Sequence, residues 1–111
     1  MQIKFSNRGT TLIVSIVGEL DHHTAEYARQ KIDNEITKST TRNVLFDMSK
    51  LGFMDSSGIG IIMGRYKNIR KLNGNAAVVN ANSHVRRILE MSGILKLMPF
   101  YDNMDSAINN M

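Results

Sequence analysis

The sequence predicts an α/β fold with a mixed sheet of four or five strands, the first strand antiparallel and the rest parallel, and helices mainly on one face. Short apolar segments of strand character alternate with longer segments in which apolar residues recur every three or four positions. Such alternation indicates parallel strands joined by right-handed helical crossovers. The first two apolar segments are separated only by a turn, which indicates an antiparallel hairpin. We expect one domain spanning residues 1–111.

The first two strands and the first helix follow from the changing spacing of apolar residues. Apolar and polar residues alternate at 3–5, the segment 12–17 is mostly apolar, and a turn signal at 7–9 lies between them. Asp21 or Thr24 can cap the helix that follows. Its apolar residues recur at helical spacing: Ala25, Ala28, Ile32 and Ile36.

The remaining elements alternate between strand and helix. The nearly continuous apolar run at 44–48 is typical of a strand in the middle of a parallel sheet. A helix over 56–72 follows, and Gly74 is expected to be its left-handed cap. The last elements are a strand at 76–79, a helix capped by Ser83 and closed by Gly93, a short strand within 97–101, and a terminal helix capped by Asp102.

Composition and charge argue against several classes of function. The chain has no cysteine, so disulfides and thiolate chemistry are excluded. A secretory signal and a membrane-spanning segment are not recognisable, so we expect a cytoplasmic protein without membrane contact. The net charge of +4 raises the question of nucleic acid. The few aromatic residues are not interleaved with the basic ones, however, and we expect a solvated basic helix face with no nucleic-acid partner.

Three loops that follow parallel strands should meet at one edge of the sheet, where function gathers in such folds. They span 18–23, 53–60 and 80–83. Asp55 or Ser56 occupies the N-cap position of the central helix, and Asp21 should lie nearby. The lysine of a phosphate-binding loop and the Gly-x-Ser-x-Gly of a hydrolase are both missing. From this pattern alone, Ser56 can be a simple helix cap or a serine that receives phosphate.

Four segments carry a recognisable combination of motifs. They are Gly18 to Glu26, Phe53 to Gly60, Gly64 to Lys67, and Met91 to Gly93. The most specific parts are Asp-Ser-Ser-Gly at 55–58 and Asp-His-His at 21–23. In order and spacing, over nearly the whole chain, these segments resemble the anti-sigma factor antagonists of the STAS domain family. The resemblance is to the antagonists that act in stage II of sporulation in endospore-forming bacteria.

The resemblance implies a partner switch and no enzymatic activity. In the family the first serine of the motif, here Ser56, is phosphorylated. The kinase is the anti-sigma factor itself, an ATP-binding protein of the histidine-kinase-like ATPase class. The unphosphorylated antagonist binds this kinase and frees the sporulation sigma factor. The phosphorylated antagonist dissociates from the kinase, and a metal-dependent serine phosphatase removes the phosphate and restores the binding form. No cofactor is implied, and an antagonist in a general stress-response sigma pathway is the alternative.

The family likeness and the topology together predict a partner interface around the serine: Glu19, Asp21, His22, Met54, Asp55, Ser57, Gly58 and Arg65. Met54 is expected as an apolar anchor, and Arg65 lies either in solvent or against an acidic partner. The adjacent His22 and His23 lack the spacing of a zinc site, so no metal is expected. Two other classes stay open, namely an enzyme with Ser56 as nucleophile and a nucleic-acid binder using the basic helix.

Overall fold

The computed structural model describes residues 1–38 and 40–111 and contains a six-stranded mixed sheet. The strands are β1 (Gln2–Arg8), β2 (Thr11–Leu20), β3 (Asn43–Asp47), β4 (Leu51–Met54), β5 (Ala76–Val79) and β6 (Phe100–Tyr101). Strand β1 is antiparallel to β2, and every other pairing is parallel, as the sequence predicts. The order is β1-β2-β3-β5-β6, with β4 paired to the end of β2.

The prediction of four or five strands is wrong because it missed β4. This strand has four residues, one of them Gly52, and glycine is depleted in strands. It pairs with the carboxyl end of β2. The pairing register shifts there between Gly18 and Glu19, and Gly18 has a φ of 110°. A local pattern carries no information on so distant a partner, and the sequence places residues 53 and 54 in the loop before the central helix.

Within residues 1–38 and 40–111, four helices cover the sheet, three of them on one face. They are α1 (Ala25–Lys38), α2 (Ser56–Lys71), α3 (Ser83–Ser92) and α4 (Met104–Asn109), with a short 3-10 helix at Ile94–Lys96. The larger core joins α1, α2 and α3 to one side of the strands through residues such as Ile32, Ile62, Leu89 and Phe46. A smaller core on the other side joins α4, through Ala107, to Leu45 and Val79. The helices therefore lie mainly on one face, as predicted.

Three predicted helix ends are corrected by the structure. Asn82 and Asn103 cap α3 and α4 by accepting the backbone N–H three residues on at 2.8 Å, each one position from the cap that the sequence suggested. The left-handed residue after α2 is Asn73, with a φ of 62°, and not Gly74. A Cβ at Gly74 would lie 1.6 Å from the carbonyl oxygen of Arg42, so glycine is required there for close backbone approach.

No helix in the described ranges, 1–38 and 40–111, has the length and apolar character needed to cross a bilayer.

Candidate functional site at the carboxyl edge of the sheet

The pairing of β4 with β2 brings two of the three predicted loops together. Leu20 is the register partner of Met54, and the N–H of Asp55 donates to the carbonyl of Leu20 at 3.3 Å. The turn that begins at Asp21 and the start of α2 therefore lie side by side. Because both chain segments leave paired strands at this point, their relative positions are set by sheet hydrogen bonds.

Asp55 caps α2 and also holds the neighbouring turn. One carboxylate oxygen accepts from the N–H groups of Ser57 at 2.9 Å and Gly58 at 3.4 Å. The other oxygen accepts from the N–H of His22 at 3.3 Å. The sequence left Asp55 and Ser56 as alternative caps, and the structure assigns the cap to Asp55. Its position at a helix N-terminus suits a carboxylate, since the helix dipole is positive there.

Ser56 is the first residue of α2 and is exposed to solvent. Because Asp55 takes the capping role, the hydroxyl of Ser56 is not used for capping. Within the described part of the chain this hydroxyl makes no hydrogen bond. The side chain is thus accessible to an incoming phosphoryl donor, and its removal would leave the helix cap intact.

Asp21 organises the turn before α1. Its carboxylate accepts from the N–H groups of His23 at 2.9 Å and Thr24 at 3.1 Å, while the Thr24 hydroxyl donates to the carbonyl of Glu19 at 2.9 Å. Burial acts to raise the pKa of Asp21, but these hydrogen bonds and the nearby His23 lower it, and the net shift is downward. Asp21 therefore stays ionised at neutral pH and makes this edge acidic together with Asp55 and the exposed Glu19.

Two residues of the predicted interface, Met54 and Arg65, have side chains that lie beneath the surface. Met54 is 1% exposed and packs under Gly58, where an added Cβ would lie 2.4 Å from the Met54 Cγ. Arg65 is 7% exposed, and its Nε lies 2.9 Å from Oδ1 of Asp33, outside hydrogen-bonding angles. The expectations of an apolar anchor at Met54 and an exposed cation at Arg65 are therefore wrong, and Gly58 is also buried.

Phe53 and His84 complete the edge and were missing from the predicted site. Their rings stack with centroids 5.1 Å apart and an interplanar angle of 16°. The amide of Asn82 donates to the carbonyl of Leu51 at 3.1 Å, so the third predicted loop also reaches β4. The position of Phe53, two residues before the Asp-Ser-Ser-Gly motif, was a usable signal that it lies near the site. Its contact with a residue 31 positions away was not visible in the sequence.

The two histidines of the first loop lie close together, with ring centroids 3.9 Å apart. Among residues 1–38 and 40–111, no group of three or more His, Asp and Glu side chains is placed to hold a metal ion. The chemistry that the edge offers is thus an accessible hydroxyl beside carboxylates, with exposed aromatic rings next to them.

Comparisons with known proteins agree with the resemblance seen in the motifs. The chain is 41% identical to the anti-sigma F factor antagonist of Paenibacillus polymyxa, over all 111 of its residues and 95% of that protein. Its fold is similar to that of the anti-sigma factor antagonist SpoIIAA in its unphosphorylated form, with a TM-score of 0.84, 28% identity, and coverage of 98% of this chain and 95% of that chain. For the Bacillus cell fate determinant SpoIIAA in the phosphorylated form, the TM-score is 0.75 at 27% identity, with 98% of both chains covered.

Residues 2–107 match the model of the STAS domain. With the fold, the motifs and the full-length relative in agreement, the chain belongs to the STAS domain family.

Proposed function

We propose that this protein is an anti-sigma factor antagonist, a regulatory binding protein and not an enzyme, that acts on the anti-sigma factor of a sporulation sigma factor. The observation that carries the proposal is the match of the whole chain, at 41% identity, to an anti-sigma F factor antagonist. The geometry supports it, because the edge presents an accessible serine between loops that are tied to the sheet. A general stress-response sigma pathway remains the second candidate, supported by the likeness to anti-sigma-B factor antagonists at 23% identity.

We further propose that phosphorylation of Ser56 switches the protein off. A phosphoserine adds about −1.5 to −2 charges and three strong acceptor oxygens. The N–H groups of Ser57 and Gly58, which could otherwise receive a phosphate at the helix start, already donate to Asp55. The phosphate would therefore project into solvent beside Asp21 and Glu19. Phosphorylation then acts through charge and bulk at the contact surface and leaves the fold nearly unchanged.

The proposed cycle needs two enzymes besides this chain. The anti-sigma factor, as an ATP-binding serine kinase, phosphorylates Ser56, and a metal-dependent serine phosphatase removes the phosphate. The exposure of Ser56 and its unbonded hydroxyl support access by both. The proposed contact residues around it are Glu19, Asp21, His22, Asp55 and Ser57, all of which are at least partly exposed.

Intact-mass spectrometry after incubation with the cognate anti-sigma factor and Mg-ATP tests the switch. We expect the wild-type protein to gain the mass of one phosphate and Ser56→Ala to gain none. Ser57→Ala is the matched control and should still be phosphorylated. Both variants should unfold within about 0.5 kcal/mol of wild type, since neither hydroxyl caps the helix. Phosphate on Ser56→Ala would move the site, and an unmodified wild-type protein with an active kinase would contradict the switch.

A further inference from the structure

We infer that the contact surface for the anti-sigma factor continues from Ser56 across the Phe53–His84 ring pair and down the outer face of α3. We call the four residues Phe53, His84, Arg87 and Met91 the α3 stripe. The inference rests on the proposed function, since it extends the surface that the same partner would contact. It assigns a role to exposed residues that the Ser56 loops leave out.

The loops around Ser56 are too small to form a stable interface alone. Specific interfaces bury about 800 Å² on each partner and involve roughly 20–30 residues a side. The partly or fully exposed residues of the three loops number fewer than 20, and those beside Ser56 are Glu19, Asp21, His22, His23, Asp55 and Ser57. A partner that binds this edge must therefore also cover neighbouring surface.

The α3 stripe is the neighbouring surface with the composition of a contact site. Residues 84, 87 and 91 recur at i, i+3 and i+7 and so share one face of α3, while Val85 and Leu89 on the other side are buried. Met91 is 76% exposed and Phe53 is 40% exposed, so neither side chain is buried in the core of the protein. Aromatic residues and methionines are enriched at binding surfaces relative to the rest of the protein surface.

The α3 stripe is joined rigidly to the switch. Phe53 lies on β4, three residues before Ser56, and stacks on His84 in the first turn of α3. The Asn82 amide that caps α3 also donates to the carbonyls of Leu51 at 3.1 Å and Gly52 at 3.4 Å. A partner seated on Ser56 would thus meet the ring pair in a fixed position. Met91 follows about 12 Å along the helix from Ser83, at about 1.5 Å per residue.

The charges on α3 indicate which partner surface fits. Arg86 is engaged, because it lies 3.4 Å from Asp102, 3.7 Å from Glu90 and 4.3 Å above the ring of Phe100. Arg87 is exposed and has no ion pair within the described ranges. The α3 stripe therefore fits an apolar patch of the anti-sigma factor that carries a carboxylate opposite Arg87.

Isothermal titration of the unphosphorylated protein with the purified cognate anti-sigma factor tests the inference. We expect Phe53→Ala and Met91→Ala each to weaken the affinity at least tenfold, as truncation of a central contact does. Arg87→Glu should also weaken binding. Leu72→Ala is the matched control, since Leu72 is 56% exposed but lies at the far end of α2, and it should bind like wild type.

The outcomes separate this inference from the proposed function. If wild type binds and both Phe53→Ala and Met91→Ala bind equally well, the α3 stripe is not part of the contact surface and the inference is wrong. A loss with Tyr27→Ala alone would place the surface over α1 and would overturn it too. The Met91→Ala variant should fold like wild type, because so exposed a side chain contributes little to the core. A loss of affinity in this variant therefore cannot be attributed to misfolding. Failure of the wild-type protein to bind would instead reject the proposed function.

Discussion

Three glycines lie in the first nine residues of α2, and their surroundings differ. A Cβ on Gly58 would lie 2.4 Å from the Met54 Cγ and 2.9 Å from the carbonyl oxygen of Leu20. A Cβ on Gly60 or Gly64 would have no neighbour within 4 Å. Gly58 is therefore required for the close packing of α2 on the sheet, whereas the other two are not needed for packing within the chain.

This difference predicts opposite effects of the same substitution. Gly58→Ala should lower the free energy of unfolding by about 1–3 kcal/mol, because a backbone carbonyl cannot move aside as a flexible side chain can. Gly60→Ala should raise it by about 0.5–1 kcal/mol, since alanine is the better helix former. Urea unfolding measures both. A Gly58→Ala protein as stable as wild type would show that the contact with Leu20 relaxes freely.

At the residue scale, the sequence was sufficient to predict Ser56 at the start of α2 and insufficient to predict the burial of Arg65. The buried residues Gly58, Ile61, Ile62 and Ile69 define one face of α2, and residue 65 falls on the same face. That spacing was a usable signal for burial, but a charged residue is seldom buried unless it is paired. Its partner, Asp33, is 32 positions away, so the pairing was not visible in the sequence.

The ion pair between Asp33 and Arg65 joins the two helices that begin at the loops around Ser56. Arg65 lies on α2 and Asp33 on α1, where Arg29 also approaches Asp33 at 3.5 Å and pairs with Glu26. Burial lowers the pKa of Arg65, while the carboxylate of Asp33 acts in the opposite direction. An arginine stays charged at any ordinary pH, so its buried charge needs the carboxylate.

Removal of the two partners should therefore have unequal effects on stability. Asp33→Asn should lower the free energy of unfolding by about 1–3 kcal/mol, because it leaves a buried guanidinium without a counter-charge. Arg65→Met should cost less, since Asp33 is 30% exposed and keeps Arg29 nearby. In the Arg65→Met background, Asp33→Asn should have little further effect. Denaturant unfolding of the double-mutant cycle checks this, and purely additive effects would contradict the coupling.

At the element scale, the order of strands and helices was predictable from the spacing of apolar residues, but the ends of elements were not. Asn82 and Asn103 cap their helices one position from the predicted residues, because several neighbouring side chains can accept the same N–H groups. Strand β4 was missed because its strand conformation is stabilised by hydrogen bonds to β2, a partner that the local sequence of β4 does not reveal.

Carboxylates gather beside Ser56 and exposed basic residues at the opposite end of the molecule, although the exposed Lys50 also lies near the carboxyl edge. The Ser56 edge carries the carboxylates of Glu19, Asp21 and Asp55. The opposite end carries exposed basic residues, which we call the basic pole: Arg8, Lys38, Arg42, Arg70, Lys71 and Lys96. Contacts join part of the basic pole, since Arg70 donates to the Gly74 carbonyl at 3.4 Å and Gly74 packs on the Arg42 backbone. The net charge of +4 is thus unevenly distributed.

Charge reversal at the basic pole should leave binding to the anti-sigma factor unaffected. Lys71 lies at the end of α2, about 22 Å from Ser56 at about 1.5 Å per residue. That distance exceeds the Debye length of about 8 Å at physiological ionic strength. We therefore expect the double substitution of Lys38→Glu and Lys71→Glu to change the affinity for the anti-sigma factor less than twofold at that salt concentration. A tenfold change, measured by titration, would place the basic pole in the contact surface.

The pairing of β4 with the end of β2 has a consequence for the kinetics of recognition. A flexible loop loses conformational entropy when a partner orders it, and that loss weakens the complex. Here the residues before Ser56 lie in a strand, and Asp55 ties the two loops together. The ordering has already occurred during folding. Under the proposed function, the anti-sigma factor would meet an edge that needs no further ordering. Phosphorylation of Ser56 would then change the lifetime of the complex more than its rate of formation.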